Sequence, residues 1–181
     1  MVALGRWQEA ERAFDQAGAV YGASNKQGLG RVQLARGRLA LKQREFWRAF
    51  VAFEQAAQFL SNNRRLAASA KAGRAYAIGM LGDGERALSE MQAVSMELDG
   101  RKDVSRATFS EVLAWQAELL CDSHQYEMAL RTAQRSLALQ RPSGDDHPLT
   151  LEGRFRVKRL SVQSETAPWI PSIAVEPCAT N

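Results

Sequence analysis

The chain has 181 residues, 45% of them apolar and 24% charged, with a formal net charge of +4. That is the size and balance of one ordinary globular domain, and the mild charge does not by itself call for a nucleic-acid partner. No run of eighteen apolar residues exists, so no membrane partner is expected, and two distant cysteines, Cys121 and Cys178, exclude a disulfide framework.

From the start, Met1 to Trp7 lacks the charged onset and long apolar stretch of a secretion signal, so a cytoplasmic chain is expected. Leu4 to Tyr21 then places Trp7, Ala10, Ala13, Phe14, Ala17, Val20 and Tyr21 on one helical face. Lys26 to Lys42 carries Val32, Leu34, Ala35, Leu39 and Leu41. Phe46 to Leu60 carries Phe46, Ala49, Phe50, Phe53, Ala56, Ala57 and Leu60, a stripe at helical spacing. Leu66 to Leu81 follows, ending at the break Gly82-Asp83-Gly84, after which Ala87, Met91 and Val94 resume the stripe. Asp103, a plausible N-cap, opens a helix to Cys121, and Gln125 to Leu139 carries Tyr126, Ala129, Leu130, Ala133 and Leu137. His147-Pro148 opens a last helix to Leu160. Ser161 to Asn181, with three prolines and no period, reads as a flexible tail in which Trp169 and Ile170 are candidates to dock on the body.

The elements repeat. Ala10, Ala49, Ala87 and Ala129 stand at intervals of 39, 38 and 42 residues. Three residues before each stands Trp7, Phe46, Gly84 or Tyr126; four after come Phe14, Phe53, Met91 and Ala133; seven after come Ala17, Ala56, Val94 and Ser136. Twelve before three of them lie the small residues Gly37, Ala75 and Ala117, which let paired helices approach. A recurring register of this length predicts stacked helical pairs.

Leu4-Gly5-Arg6-Trp7-Gln8-Glu9-Ala10-Glu11-Arg12-Ala13-Phe14-Asp15-Gln16-Ala17 resembles the second helix of a tetratricopeptide repeat, and Leu81-Gly82-Asp83-Gly84-Glu85-Arg86-Ala87 has its turn without the aromatic. The intervals exceed the usual 34 residues, which is similar to the long-repeat subclass of bacterial signalling and transcription regulators and of kinesin light chains. Gly144-Asp145-Asp146-His147-Pro148-Leu149-Thr150-Leu151 resembles the linker of the light-chain type. The resemblance implies an all-α, α-α superhelix (a tetratricopeptide-like solenoid) of about seven or eight antiparallel helices. Residues 1–140 form the repeats, the first with only its second helix; 141–160 form a linker and a capping helix; 161–181 form the tail.

In that family the first helix of each pair lines a concave groove. At equal phase this predicts Arg31, Arg38 and Lys42 from the second unit, Ser69, Tyr76 and Met80 from the third, and Glu111, Glu118 and Asp122 from the fourth. The groove would be basic at one end and acidic at the other, suited to a peptide or helix of complementary charge. The family's carboxylate clamp is not implied, because Ala35 and Gly73 stand where its asparagine belongs.

No enzyme, cofactor or metal is expected. His124 and His147 fall in turns, Cys121 near His124 lacks further ligands, Gly28-Leu29-Gly30 lacks a phosphate-loop context, and Asp145-Asp146 reads as a solvated turn. The expected role is a protein-binding scaffold in a bacterial regulatory or signalling system, with self-association through an apolar face at Trp7, Ala10 and Phe14. The alternatives are a nucleic-acid-associated module, using the basic residues of 31–48 and 154–159, and a truncated fragment of a larger regulator.

Overall fold

The computed structural model describes residues 2–101, 103–140, 153–154 and 156–162. They form seven helices, α1 (Val2–Tyr21), α2 (Lys26–Lys42), α3 (Phe46–Phe59), α4 (Arg64–Met80), α5 (Gly84–Leu98), α6 (Arg106–Asp122) and α7 (Tyr126–Gln140), followed by helical stretches at 153–154 and 156–162. No strand occurs among the described residues, and no helix there is long and apolar enough to cross a membrane.

Side-chain caps start four of these helices. Asn25 Oδ1 accepts from Gly28 N (2.8 Å), Asn63 Oδ1 from Leu66 N (3.2 Å), Asp83 Oδ1 from Arg86 N (3.3 Å) and Ser105 Oγ from Thr108 N (3.1 Å). Each satisfies a helix N–H that has no carbonyl partner within its own turn. Asp103 does not cap α6; its carboxylate accepts two hydrogen bonds from Arg101, and Ser105 takes the cap two residues later.

Three-residue turns join α2 to α3, α4 to α5 and α6 to α7 by one recipe. Glu45 N, Asp83 N and Gln125 N donate back to Ala40 O, Ile78 O and Leu120 O, while Arg44 N, Gly82 N and His124 N donate to Leu41 O, Gly79 O and Cys121 O. This doubled bond pattern requires a left-handed residue, and Arg44, Gly82 and His124 have φ of 61°, 106° and 59°. Gly5 occupies the same register place in the first unit but lies inside α1, which runs from Val2.

The repeat register becomes the core. Ala49, Ala87 and Ala129 are sealed at 0% exposure, as are Phe53, Met91 and Ala56, with Ala133, Val94 and Ser136 close behind. In α1 the equivalent Ala10, Phe14 and Ala17 are only half-buried. Phe53 shows why the small residues stand where they do. A Cβ on Gly37 would lie 2.7 Å from its ring and one on Gly73 2.5 Å, so α2 and α4 close over the ring only as glycines.

Each helix packs on the next in sequence, and the first helices of the pairs also meet one another, α2 touching α4 and α4 touching α6. No comparable approach links α1 to α3, α3 to α5 or α5 to α7. One row is therefore tight and the other splayed, which bends the stack into a superhelix with α2, α4 and α6 on its inner side. At the far end Leu160 is fully buried in a cluster with Ala117, Leu120, Cys121, Ala129 and Ala133, and the described residues there, 153–154 and 156–162, are helical. The linker expected over 141–152 with His147, and the expected tail beyond 162 with Trp169 and Ile170, lie outside the described residues.

Candidate interaction trough

The inner row brings the equal-phase side chains together. Arg38 of α2 donates through Nη2 to Ser69 Oγ of α4 (3.2 Å) and to Glu111 Oε2 of α6 (2.5 Å), so one guanidinium spans three helices. One turn or two further along, Tyr76 of α4 donates to Glu118 Oε2 of α6 (2.5 Å), whose other oxygen accepts from Arg156 Nε (3.0 Å). Burial first, and then the Glu118 carboxylate, push the Tyr76 phenol well above its ordinary value, so it stays a proton donor. Partial desolvation by its neighbours and then the Glu118 charge also raise Asp122, although much of its side chain faces solvent.

The basic and acidic ends thus meet across α4 instead of standing apart. Arg38 and Glu111 neutralise each other at 39% and 31% side-chain exposure. Arg31 and Lys42, also from α2, and Asp122 are exposed and make no ion pair among the described residues. Met80 is half-buried beside the core of α4, α5 and α6.

Two trough residues escaped the sequence reading. Trp115 stacks on Tyr76 with ring centroids 5.8 Å apart and meets Phe53 edge-on at 6.3 Å. It stands fourteen residues before Ala129, as Ala35 and Gly73 stand before Ala49 and Ala87. Its phase is the signal that finds it, while a tryptophan on an apolar helix reads first as core. Arg156 follows Arg38, Tyr76 and Glu118 at steps of 38, 42 and 38 residues, so the inner row continues into 156–162.

Elsewhere the chemistry is structural. An open cleft of about 480 Å³ between α1 and the α2–α3 turn is lined by Trp7, Gln8, Glu11, Arg12, Gln43, Glu45 and Arg48. Its charges are largely spent on each other, with Arg48 bound to Glu11 (3.1 Å) and Glu45 (3.0 Å). Cys121 is buried and its thiol is pushed up by that burial, opposite to what a nucleophile requires. His124 Nδ1 lies 2.7 Å from Tyr126 Oη. No group of three metal-ligating side chains occurs among the described residues.

Fold and trough together define an all-α helical-repeat superhelix whose inner row presents side chains from successive units. No protein-family model matches the chain, and no curated protein is significantly similar to it.

Proposed function

We propose that this chain is a non-enzymatic interaction scaffold of the tetratricopeptide kind, which holds an extended peptide or a helix of a partner protein against α2, α4 and α6. The observation that carries the reading is the convergence of Arg38, Ser69, Tyr76, Glu111 and Glu118, drawn from three separate units, on one face. Stacked repeats use such a face for binding, since equal-phase positions form a continuous strip that loops do not interrupt. A place in a bacterial regulatory or signalling system, inside the cytoplasm, belongs to the same reading.

Peptide-display selection against the full chain tests it. Exposed Arg31 and Lys42, which make no ion pair among the described residues, give the trough its positive rim, so Arg31→Glu with Lys42→Glu should abolish binding of the enriched peptides. Arg12→Glu with Arg131→Glu makes the same change of charge away from the trough and should leave binding intact. No enrichment, or equal effects of the two double variants, would remove the trough from the account.

A second contact belongs to α1. Ala10, Phe14 and Ala17 are half-buried where their counterparts in later units are sealed, and a second copy of the chain would complete that burial. Light scattering reads this directly, and a strict monomer across rising concentration rejects it. The nucleic-acid alternative loses ground at the same time. Of the six basic residues in 31–48, Arg36, Arg38 and Arg48 are tied to carboxylates, and Arg156 is tied to Glu118.

A further inference from the structure

The three joints between successive pairs are unequal. Four residues link α1 to α2 and four link α3 to α4, but seven link α5 to α6, which accounts for the longer interval between Ala87 and Ala129. The first two joints also carry a repeated ionic brace. Arg36, thirteen residues before Ala49, bonds Asp15, five after Ala10. Arg74, thirteen before Ala87, bonds Glu54, five after Ala49, at 2.6 Å, and also Glu90 of α5 at 2.8 Å. At the third joint the same two places are Gln92 and Gln116, and among the described residues no ion pair joins α5 to α6; the joint is crossed instead by one exposed pair, Arg135 of α7 to Asp99 at the end of α5, at 2.5 Å. The α5–α6 interface is also smaller than that of α3 with α4, and about as small as that of the terminal α1 with α2.

What holds α6 in place lies on the other side. It leans on α4 more extensively than α4 leans on α2, and there Trp115 covers Tyr76, Tyr76 binds Glu118, and Arg38 reaches over Ser69 to Glu111. We infer that the superhelix is jointed between α5 and α6, and that Arg38–Glu111 with Tyr76–Glu118 is the latch holding the trough closed. The α6–α7 pair, with 156–162 upon it, rocks as one body on an outer seam that has the exposed Arg135–Asp99 pair in place of the repeated brace, and the polar latch on the inner seam selects the closed setting. Because the Arg38–Glu111 pair is half-exposed, salt weakens it, and a partner that competes for either group opens the joint.

The test needs no partner, so it fails or succeeds separately from the binding reading. Spin labels at Gln55→Cys on α3 and Gln134→Cys on α7, in a full chain carrying Cys121→Ala and Cys178→Ser, report the separation of the two sides of the joint. Glu111→Gln with Tyr76→Phe should shift the distance distribution several ångström outward or make it bimodal. Arg74→Gln, which removes the brace at the stronger joint, should leave that distribution in place. Far-ultraviolet circular dichroism checks that every variant remains helical. Raising salt on the labelled chain with its latch intact gives an independent arm, with the same outward shift expected. An unchanged distribution in both the latch variant and high salt overturns the inference. So does an equal shift with Arg74→Gln, which would mean that the stack is uniformly soft.

Discussion

Arg44 and His124 occupy left-handed backbone where the equivalent turn of the third unit has Gly82. An L side chain there costs roughly 1–2 kcal/mol, part of which glycine returns as unfolded-chain entropy. Arg44→Gly should therefore raise stability by about 0.5 kcal/mol, and Gly82→Ala should lower it by about 1 kcal/mol or more, both read by urea unfolding. Two carboxylates make opposite predictions with pH. The Arg74 hydrogen bond holds Glu54 below its ordinary value of 4.5. Its contribution is therefore complete above that value and is lost as pH falls through the lower folded value. Asp122, though largely exposed, is raised above 3.8 by partial desolvation and by Glu118, so its ionised form mildly disfavours the fold at neutral pH. Glu54→Gln should lower the melting temperature at pH 7, and Asp122→Asn should raise it. Both differences should fade in acid, and a melting series from neutral pH to pH ~3 checks the signs.

A helix is decided by its neighbours as much as by its own sequence, and the glycines of α1 and α4 make this measurable. Gly18 has nothing within 4 Å of a built Cβ, while Gly73 would drive one to 2.5 Å from the sealed Phe53 ring. Gly18→Ala should stabilise by about 0.8 kcal/mol through helix propensity. Gly73→Ala should destabilise by about 1–2 kcal/mol, since overpacking outweighs the same propensity gain. Equal signs in thermal or urea unfolding would contradict the packing described for Phe53. The α6–α7 pair carries a different device. Ser110 and Ser136 exchange hydrogen bonds with each other's hydroxyl and carbonyl, and Gln140 donates to Ser110 Oγ at 2.8 Å, so a buried polar set fixes the pairing of these helices.

For the whole molecule, contacts run mainly between neighbouring helices, so stability should vary along the stack. α4 is covered by α3, α5, α2 and α6 and has nine buried residues, whereas no residue of α1 is fully buried among those whose side chains are described. Amide exchange should be slowest in α4 and fastest in α1. Equal protection would contradict a stack of local contacts. With Arg36, Arg38 and Arg48 tied to carboxylates, half of the six cations in 31–48 are already neutralised, which predicts no retention of single-stranded or duplex DNA even at about 50 mM salt.

The sequence by itself determined the helices, their turns and the phase of the repeat. These depend on periodicity, caps and turn residues, all local in the chain: α2 begins and ends at Lys26 and Lys42 as its pattern requires, and Ala49, Ala87 and Ala129 are sealed as their register requires. Phase also placed Arg38, Ser69, Tyr76, Glu111 and Glu118 on a shared face. Only the tertiary structure decided that Arg38 meets Glu111, 73 residues away, and that Trp115 covers the trough. Those contacts depend on how far each pair rotates on the last, and that angle is set by packing volumes and joint lengths summed over three units, which no single window of residues contains.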